Sequence, residues 1–417
     1  MKRNGLQTGK PKRYSFNIGG VFMAKSNFKR TKFACYVAYF TMSSVFSLPP
    51  LLFVTFHKMY NISWTLLGTL VVVNFCTQFA IDLMFTLFSS KFNVSKVVKI
   101  MPLITSLGLA IYALFPMAVP NYAYVGLLIG TVIFSISAGL SEVLLSPIIA
   151  AIPSENSQKD MSTLHSLYAF GVLSVVVVGT LFIKIFGAEN WAYITLFFAA
   201  LPIIASVLFM KSPMPALNGD SSSRKKEASG KKILGIALCL ACIFFGSCAE
   251  NAMSNWISGY MEVQLHIDKA VGDIVGMALF AVLLGVTRIC YAKFGKNISR
   301  ILLIGMIGAS VCYLVAGLSP YTIPAFIACI LTGAFTAMLW PGTLILMEEK
   351  ISGVGVTAYA IMAAGGDLGA SVAPQLLGVI ADHVSLKTGM LVCSVFPIFG
   401  IAVMVMIRHF LNVKKDA

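Results

Sequence analysis

The chain has 417 residues, 58% hydrophobic and only 11% charged, with a mean hydropathy of +0.86. A soluble domain carries about 25% charged residues, so a water-soluble enzyme, a nucleic-acid binder and a disordered scaffold are all excluded. The net charge of +15 rests on 31 Lys and Arg against 16 Asp and Glu, and these sit in short breaks between apolar runs, as the positive-inside rule describes for membrane proteins.

Residues 1–32 hold nine basic residues and no acid; the first acidic residue of the chain is Asp82. This segment is too polar to span, and the apolar run behind it is too long for the core of a cleaved signal. It is expected to remain as a basic cytoplasmic tail. Twelve apolar runs follow, at 33–57, 63–89, 97–118, 122–152, 161–187, 191–211, 233–258, 268–292, 300–318, 323–347, 356–382 and 388–408. Each approaches the roughly 20 residues that a bilayer-spanning helix needs. With the amino terminus inside, the even-numbered connections and both tails hold 26 Lys and Arg, while the outer connections hold four. That asymmetry places the protein in the cell (inner) membrane with both termini cytoplasmic.

The longest internal break, 211–232, is polar and carries Arg224-Lys225-Lys226. It reads as a cytoplasmic linker between an N-terminal six-helix half (33–210) and a C-terminal half (233–408), with residues 409–417 as a second tail. Ser90-Lys91-Phe92-Asn93 after span 2 matches Ala292-Lys293-Phe294-Gly295 after span 8, an offset of 202 residues, as duplicated halves require. The expected fold is all-α and membrane-integral, with twelve transmembrane helices in two pseudo-symmetric halves.

Charged groups at bilayer depth cost about 2.5–3.5 kcal/mol each on insertion scales. Asp82, Glu142, Glu250, Arg288 and Asp367 therefore each need a partner, a cavity or a function. In span 7, Ser247, Glu250, Asn251, Ser254, Asn255 and Ser258 share one helical face. Lipid rejects such a face, so it lines a watery cavity or a helix contact. Glu250, Asn251, Ser254, Asn255 and the adjoining Trp256, with Trp340 of span 10, are the expected solute-binding residues; a membrane-belt role for Trp256 is the plainer alternative. Asn74, Gln78, Asp82 and Thr86 form a second stripe in span 2, near the cytoplasmic side, where a structural network holding an inner gate is expected.

Glu142 lies five residues before Pro147, where a proline loosens the helix and admits water. A carboxyl there can exchange a proton, and Asp367 and His165 are further candidates for proton coupling. Asp367 is flanked by Gly365 and Gly369, whose spacing permits close helix approach; accepting a hydrogen bond across that contact is its alternative role. Arg288 cannot give up its charge, so a carboxylate must face it; by depth, Asp82, Glu142 and Glu348 are its candidates. All nine cysteines fall in apolar runs, and Cys239-x-x-Cys242 has no second pair beside it. With five scattered histidines and no P-loop, no metal, cofactor or ATP site is expected.

Twelve spans, a basic central loop and short basic turns after spans 2 and 8 resemble the major facilitator superfamily. The signature turn is worn down: Ser90 stands where the family has Asp and Lys91 where it has Arg, while the second copy keeps Lys293, Gly295 and Lys296 but has Ala292 for the acid. Gln78-Phe79-Ala80-Ile81-Asp82, Gly139-Leu140-Ser141-Glu142, Leu164-His165-Ser166-Leu167-Tyr168, Ala249-Glu250-Asn251, Val271-Gly272-Asp273, Trp340-Pro341-Gly342 and Gly365-Gly366-Asp367-Leu368-Gly369 resemble bacterial fucose-permease-like facilitators. The resemblance implies a monomeric carrier of a small polar solute, sugar-like or related, working by alternating access, either proton-linked or facilitative. Asp82, Gln78, Arg288, Lys91 and Lys293 would be its structural and gating positions. A drug or amphiphile exporter of the same fold is the competing function, and an integral-membrane enzyme using His165 with Glu142 is a remote one.

Overall fold

The computed structural model describes residues 28–88, 92–155, 157–215, 230–351 and 356–412. Among them all regular structure is helical. The first half comprises α1 (Lys29–Tyr60), α2 (Trp64–Phe88), α3 (Val94–Ala118), α4 (Ala123–Ala151), α5 (Ser157–Phe186) and α6 (Trp191–Met210). The second comprises α7 (Gly230–Gly259), a composite α8, α9 (Ile298–Leu318), a broken α10 (Thr322–Thr336 and Leu339–Lys350), α11 (Val356–His383) and α12 (Leu386–Cys393 and Val395–Asn412). Within α8 one turn (Lys269–Val271) leads through a π-helical stretch (Gly272–Met277) into Ala278–Phe294.

Eleven of these helices are long and apolar enough to cross a membrane. The other, α11, has 28 residues, a rise of about 42 Å at 1.5 Å per residue; Asp367, Gln375 and its glycines dilute its hydropathy. The helices begin earlier than the apolar runs, α1 at Lys29 and α7 at Gly230, because lysine at a helix end reaches the headgroup level without unwinding the backbone. Lys91 and the centre of the linker fall outside the described residues. The two corresponding helices open on like caps, Asn93 Oδ1 accepting from Lys96 N at 3.1 Å at α3 and Asn297 Oδ1 accepting from Arg300 N at 3.2 Å at α9, two residues out of step with the 202-residue offset.

Glycines set the closest crossings. A methyl group at Gly108 of α3 would stand 2.5 Å from the Phe134 backbone of α4, and one at Gly369 of α11 would stand 2.4 Å from the Phe244 carbonyl of α7. Gly365 abuts Leu240 in the same crossing, so the Gly365–Gly369 pair seats α11 on α7 as its spacing predicts.

Two ends of the bundle are distinguished by their connections. The end carrying the connections after α1, α3, α5, α7, α9 and α11, called here the odd end, is where the halves meet. Gly68 and Trp64 of α2 pack on Gln375 and Gly378 of α11. Asp382 at the end of α11 accepts from the backbone N–H groups of Trp64 (2.8 Å) and Thr65 (2.7 Å), capping α2 from across the interface. Trp256 of α7 is fully buried between Phe53 and Trp64, at ring-centroid distances of 5.4 and 5.8 Å.

Candidate functional site

Below that closed end the polar stripes of α2, α4, α7 and α11 face one another. Gln78 Nε2 donates to Asn74 Oδ1 at 3.0 Å, and Ser135 Oγ of α4 donates to the same oxygen at 2.6 Å. These bonds join the Asn74–Gln78 part of the α2 stripe to α4. Beside it, α1, α2, α4 and α7 enclose a cavity of about 10 Å³ lined by Phe46, Pro49, Phe53, Phe134, Asn74 and Asn255, among others, about the room of one water molecule.

Along α7, Asn251 Nδ2 donates to the Ser247 carbonyl (3.1 Å), and Asn255 Nδ2 donates to the Asn251 carbonyl (2.9 Å). The amide nitrogens are thus held against their own helix. Trp256 does not share the face: its Nε1 donates to the Pro374 carbonyl at 3.0 Å and its ring is 0% exposed. Neither a membrane belt nor an open cavity surrounds it, because position 256 is rotated roughly 100° from 255, into the contact between halves. Trp340 packs on Gly366 of α11, beside the break in α10.

Arg288 is paired with Glu250, not with Asp82, Glu142 or Glu348. Its Nη2 lies 3.2 Å from Glu250 Oε1 and 3.4 Å from Oε2. Glu348 instead accepts from the Tyr359 hydroxyl. Depth counted in residues misplaces this pair for two reasons. α7 does not end near Gly259 but continues through a π turn, Tyr260–Gln264, and the π-helical stretch of α8 spends extra residues per turn. Arg288 Nε also donates to the Ala337 carbonyl at 2.9 Å. Pro341 has no N–H to offer the carbonyl four residues before it, so Ala337 is left open at the α10 break, and Arg288 fills the vacancy. Glu250, expected among neutral solute-binding groups, is therefore half of an ion pair tying α7 to α8 and, through Arg288, to α10. The pair is still accessible: the side chains are 38% (Arg288) and 19% (Glu250) exposed.

The remaining acids gather two to three turns from the even ends of their helices. Glu142 of α4 is exposed and lies within electrostatic reach of Asp367 of α11, in the other half. Asp82, Glu142 and Asp367 lie within electrostatic reach of one another. One buried oxygen of Asp82, Oδ1, has no hydrogen-bond partner. Asp367 accepts no bond across the α7 contact: two residues round the helix from both Gly365 and Gly369, it points the opposite way, toward α2. Tyr168 stands between the acids and the ion pair, feeling Glu142, Glu250 and Arg288, and its ring meets Tyr39 and Phe46 at 6.0 and 5.8 Å. The backbone of His165 lies in α5, but its side chain is outside the described set. Lys293 is exposed at the even end. Among the described residues no cluster of His, Cys, Asp and Glu has the arrangement to hold a metal ion.

The profile of the Major Facilitator Superfamily matches residues 33–322. The chain belongs to that superfamily of transporters. No curated protein matches the sequence. Among solved structures, a bacterial homologue of the human lysosomal transporter Spinster, inward-facing and occupied, is 12% identical with a TM-score of 0.75, covering 93% of this chain and 98% of its own. A D-xylose–proton symporter is 15% identical with a TM-score of 0.75, over 92% of this chain and 98% of its own. The transporter FucP, in an outward conformation, is 14% identical with a TM-score of 0.62, over 91% and 99%. These likenesses establish the major facilitator fold of the superfamily. Sequence reasoning missed Asp382, Lys269, Thr180 and Ala337 as structural positions. The Trp340-Pro341 step was the one local signal, since a proline always frees the carbonyl four residues earlier.

Proposed function

We propose that the protein is a secondary active transporter that moves a small polar solute, sugar-like or a related metabolite, by alternating access and couples it to protons. The observation that carries this reading is the grouping of Asp82, Glu142 and Asp367 within electrostatic reach of one another, while the cation within reach, Arg288, is committed to Glu250. Three negative charges at that depth without a cation are costly, and sharing protons among them removes the cost. With 26 basic residues on the tails and even connections, the even end is the cytoplasmic one, so a bundle closed at the odd end is inward-facing. In that state Glu142 trades protons with the cytoplasm, and rocking of the halves turns it to the other side. The side-chain amides of Asn251 and Asn255, with Ser254 and the accessible edge of the Glu250–Arg288 pair, would serve hydroxyl-bearing solutes. Trp340 contributes an aromatic wall.

The test is uptake into proteoliposomes, with a solute chosen by thermal-shift screening of sugars, polyols and nucleosides, since a ligand of the folded state raises its apparent stability. Glu142→Gln is expected to abolish accumulation driven by a pH gradient while keeping exchange of labelled for unlabelled solute. Accumulation at the unmutated level rules out coupling through Glu142. A second reading, transport of an amphiphile, is favoured by the phenylalanines around the central cavity; stabilisation by lipophilic cations and by no polar solute would select it.

A further inference from the structure

The contacts closing the odd end show an asymmetry that bears on how the transporter opens. Lys269, Asp273, Ser258 and Glu262 all belong to the second half. Asp273 is 0% exposed; it accepts from Ser258 Oγ at 2.5 Å and lies 3.1 Å from Lys269 Nζ. Lys269 also reaches Glu262 at 3.8 Å and Ser258 at 3.2 Å. Within the cluster the buried Asp273 is paired by Lys269 and Ser258 of its own half. The cluster grips the first half through three further bonds: Thr180 Oγ1 of α5 donates to Asp273 at 3.1 Å, Lys269 Nζ donates to the Leu51 carbonyl of α1 at 3.0 Å, and Lys58 pairs with Glu262 at 2.7 Å with its side chain largely exposed. Across the interface, Asp382 caps α2 as described.

We infer that Lys269–Asp273, at the start of α8, together with Asp382 forms a release clasp of the odd end: the buried Lys269–Asp273 pair stays whole in the second half when the halves part, so opening breaks bonds to a hydroxyl, a carbonyl and two backbone N–H groups and one ion pair, Lys58–Glu262, whose lysine is already largely exposed. A buried ion pair split between the halves would have to be separated at every cycle, at far greater cost. The inference rests on the alternating-access reading above. It adds which residues set the balance between the two states, and it predicts that the side of the interface on which a partner sits decides the effect of removing it.

The experiment measures the distance distribution between spin labels at Tyr122 and Tyr321, both exposed on odd-end connections of opposite halves. Cys76 and Cys290, the exposed native cysteines, are changed to Ser. Thr180→Val and Asp382→Ala each remove bonds that exist only while the odd end is shut. Thr180→Val, which removes one bond, is expected to raise the ratio of long to short distances about fivefold, the equivalent of one net hydrogen bond, and Asp382→Ala, which removes two, by more than that. Ser258→Ala removes a bond kept in both states, so it is expected to lower thermal stability without moving the ratio. The clasp is overturned if Thr180→Val and Asp382→Ala leave the ratio unchanged in folded protein, or if Ser258→Ala shifts it as much as they do. A single short distance in every sample, the unmutated protein included, overturns the clasp and the alternating-access reading together. Two populations that ignore the variants overturn the clasp alone.

Discussion

Removing Arg288 takes away two bonds that Glu250 and Ala337 cannot replace. Breaking a buried pair by deleting one partner costs about 3–5 kcal/mol, but Arg288 is 38% exposed and Glu250 19%, so water recovers part of this and about 2 kcal/mol is the fitting figure for the stranded carboxylate. The Ala337 carbonyl, left open by Pro341, adds about 1 kcal/mol. Arg288→Ala is therefore expected to cost about 3 kcal/mol, a fall of roughly 3–4 °C in Tm for a chain of this size by the scaling of soluble domains. Adding Glu250→Gln removes the stranded charge and is expected to restore about two-thirds of the loss, leaving the carbonyl deficit. Arg288→Lys is expected to stay partly destabilised, because one ammonium cannot serve carboxylate and carbonyl in the fork geometry of a guanidinium. A thiol-reactive dye melt of the detergent-solubilised protein reads all three. Rescue by Glu142→Gln, Asp82→Asn or Glu348→Gln, with none from Glu250→Gln, refutes the pairing.

The remaining expectations are narrower. Gly369→Ala drives a methyl group to 2.4 Å from the Phe244 carbonyl, whereas Gly259→Ala meets nothing closer than 3.5 Å; the first should lower Tm by several degrees and the second by little, and equal shifts would show that α7 and α11 do not cross there. Asn74→Ala removes the acceptor that Gln78 and Ser135 share, leaving Ser135 its bond to the Thr131 carbonyl; it should cost about 1 kcal/mol and lower Tm more than Asn251→Ala, whose amide bonds only its own helix. Asn255→Ala is expected to raise the solute concentration for half-maximal exchange while leaving Tm nearly unchanged; unaltered exchange kinetics would remove Asn255 from the solute path. Cysteines placed at Tyr321 and Lys293, both exposed at opposite ends, should react with an impermeant thiol reagent from outside intact cells at Tyr321 only. Labelling of Lys293→Cys from outside would invert the proposed orientation.

What the sequence alone determined is what depends on local pattern. Hydropathy over about 20 residues decides whether a segment spans, and it marked twelve segments, each realised as a helix, although three (α8, α10 and α12) are interrupted. The polar face of α7 and the Gly365–Gly369 seat follow from helical periodicity, and both stand in the structure. The count of basic residues distinguishes the two ends without any knowledge of packing. The partner of Arg288, the burial of Trp256, the direction of Asp367 and the cross-interface cap by Asp382 were decided only in three dimensions. Each depends on which helices become neighbours and at what axial register, and register accumulates through features that periodicity does not report: the π turns at Tyr260–Gln264 and Gly272–Met277 and the break at Ala337–Met338. Counting from the ends at 1.5 Å per residue placed Glu250 and Arg288 at different depths. One extra residue per turn, repeated in two facing helices, brought them within 3.2 Å.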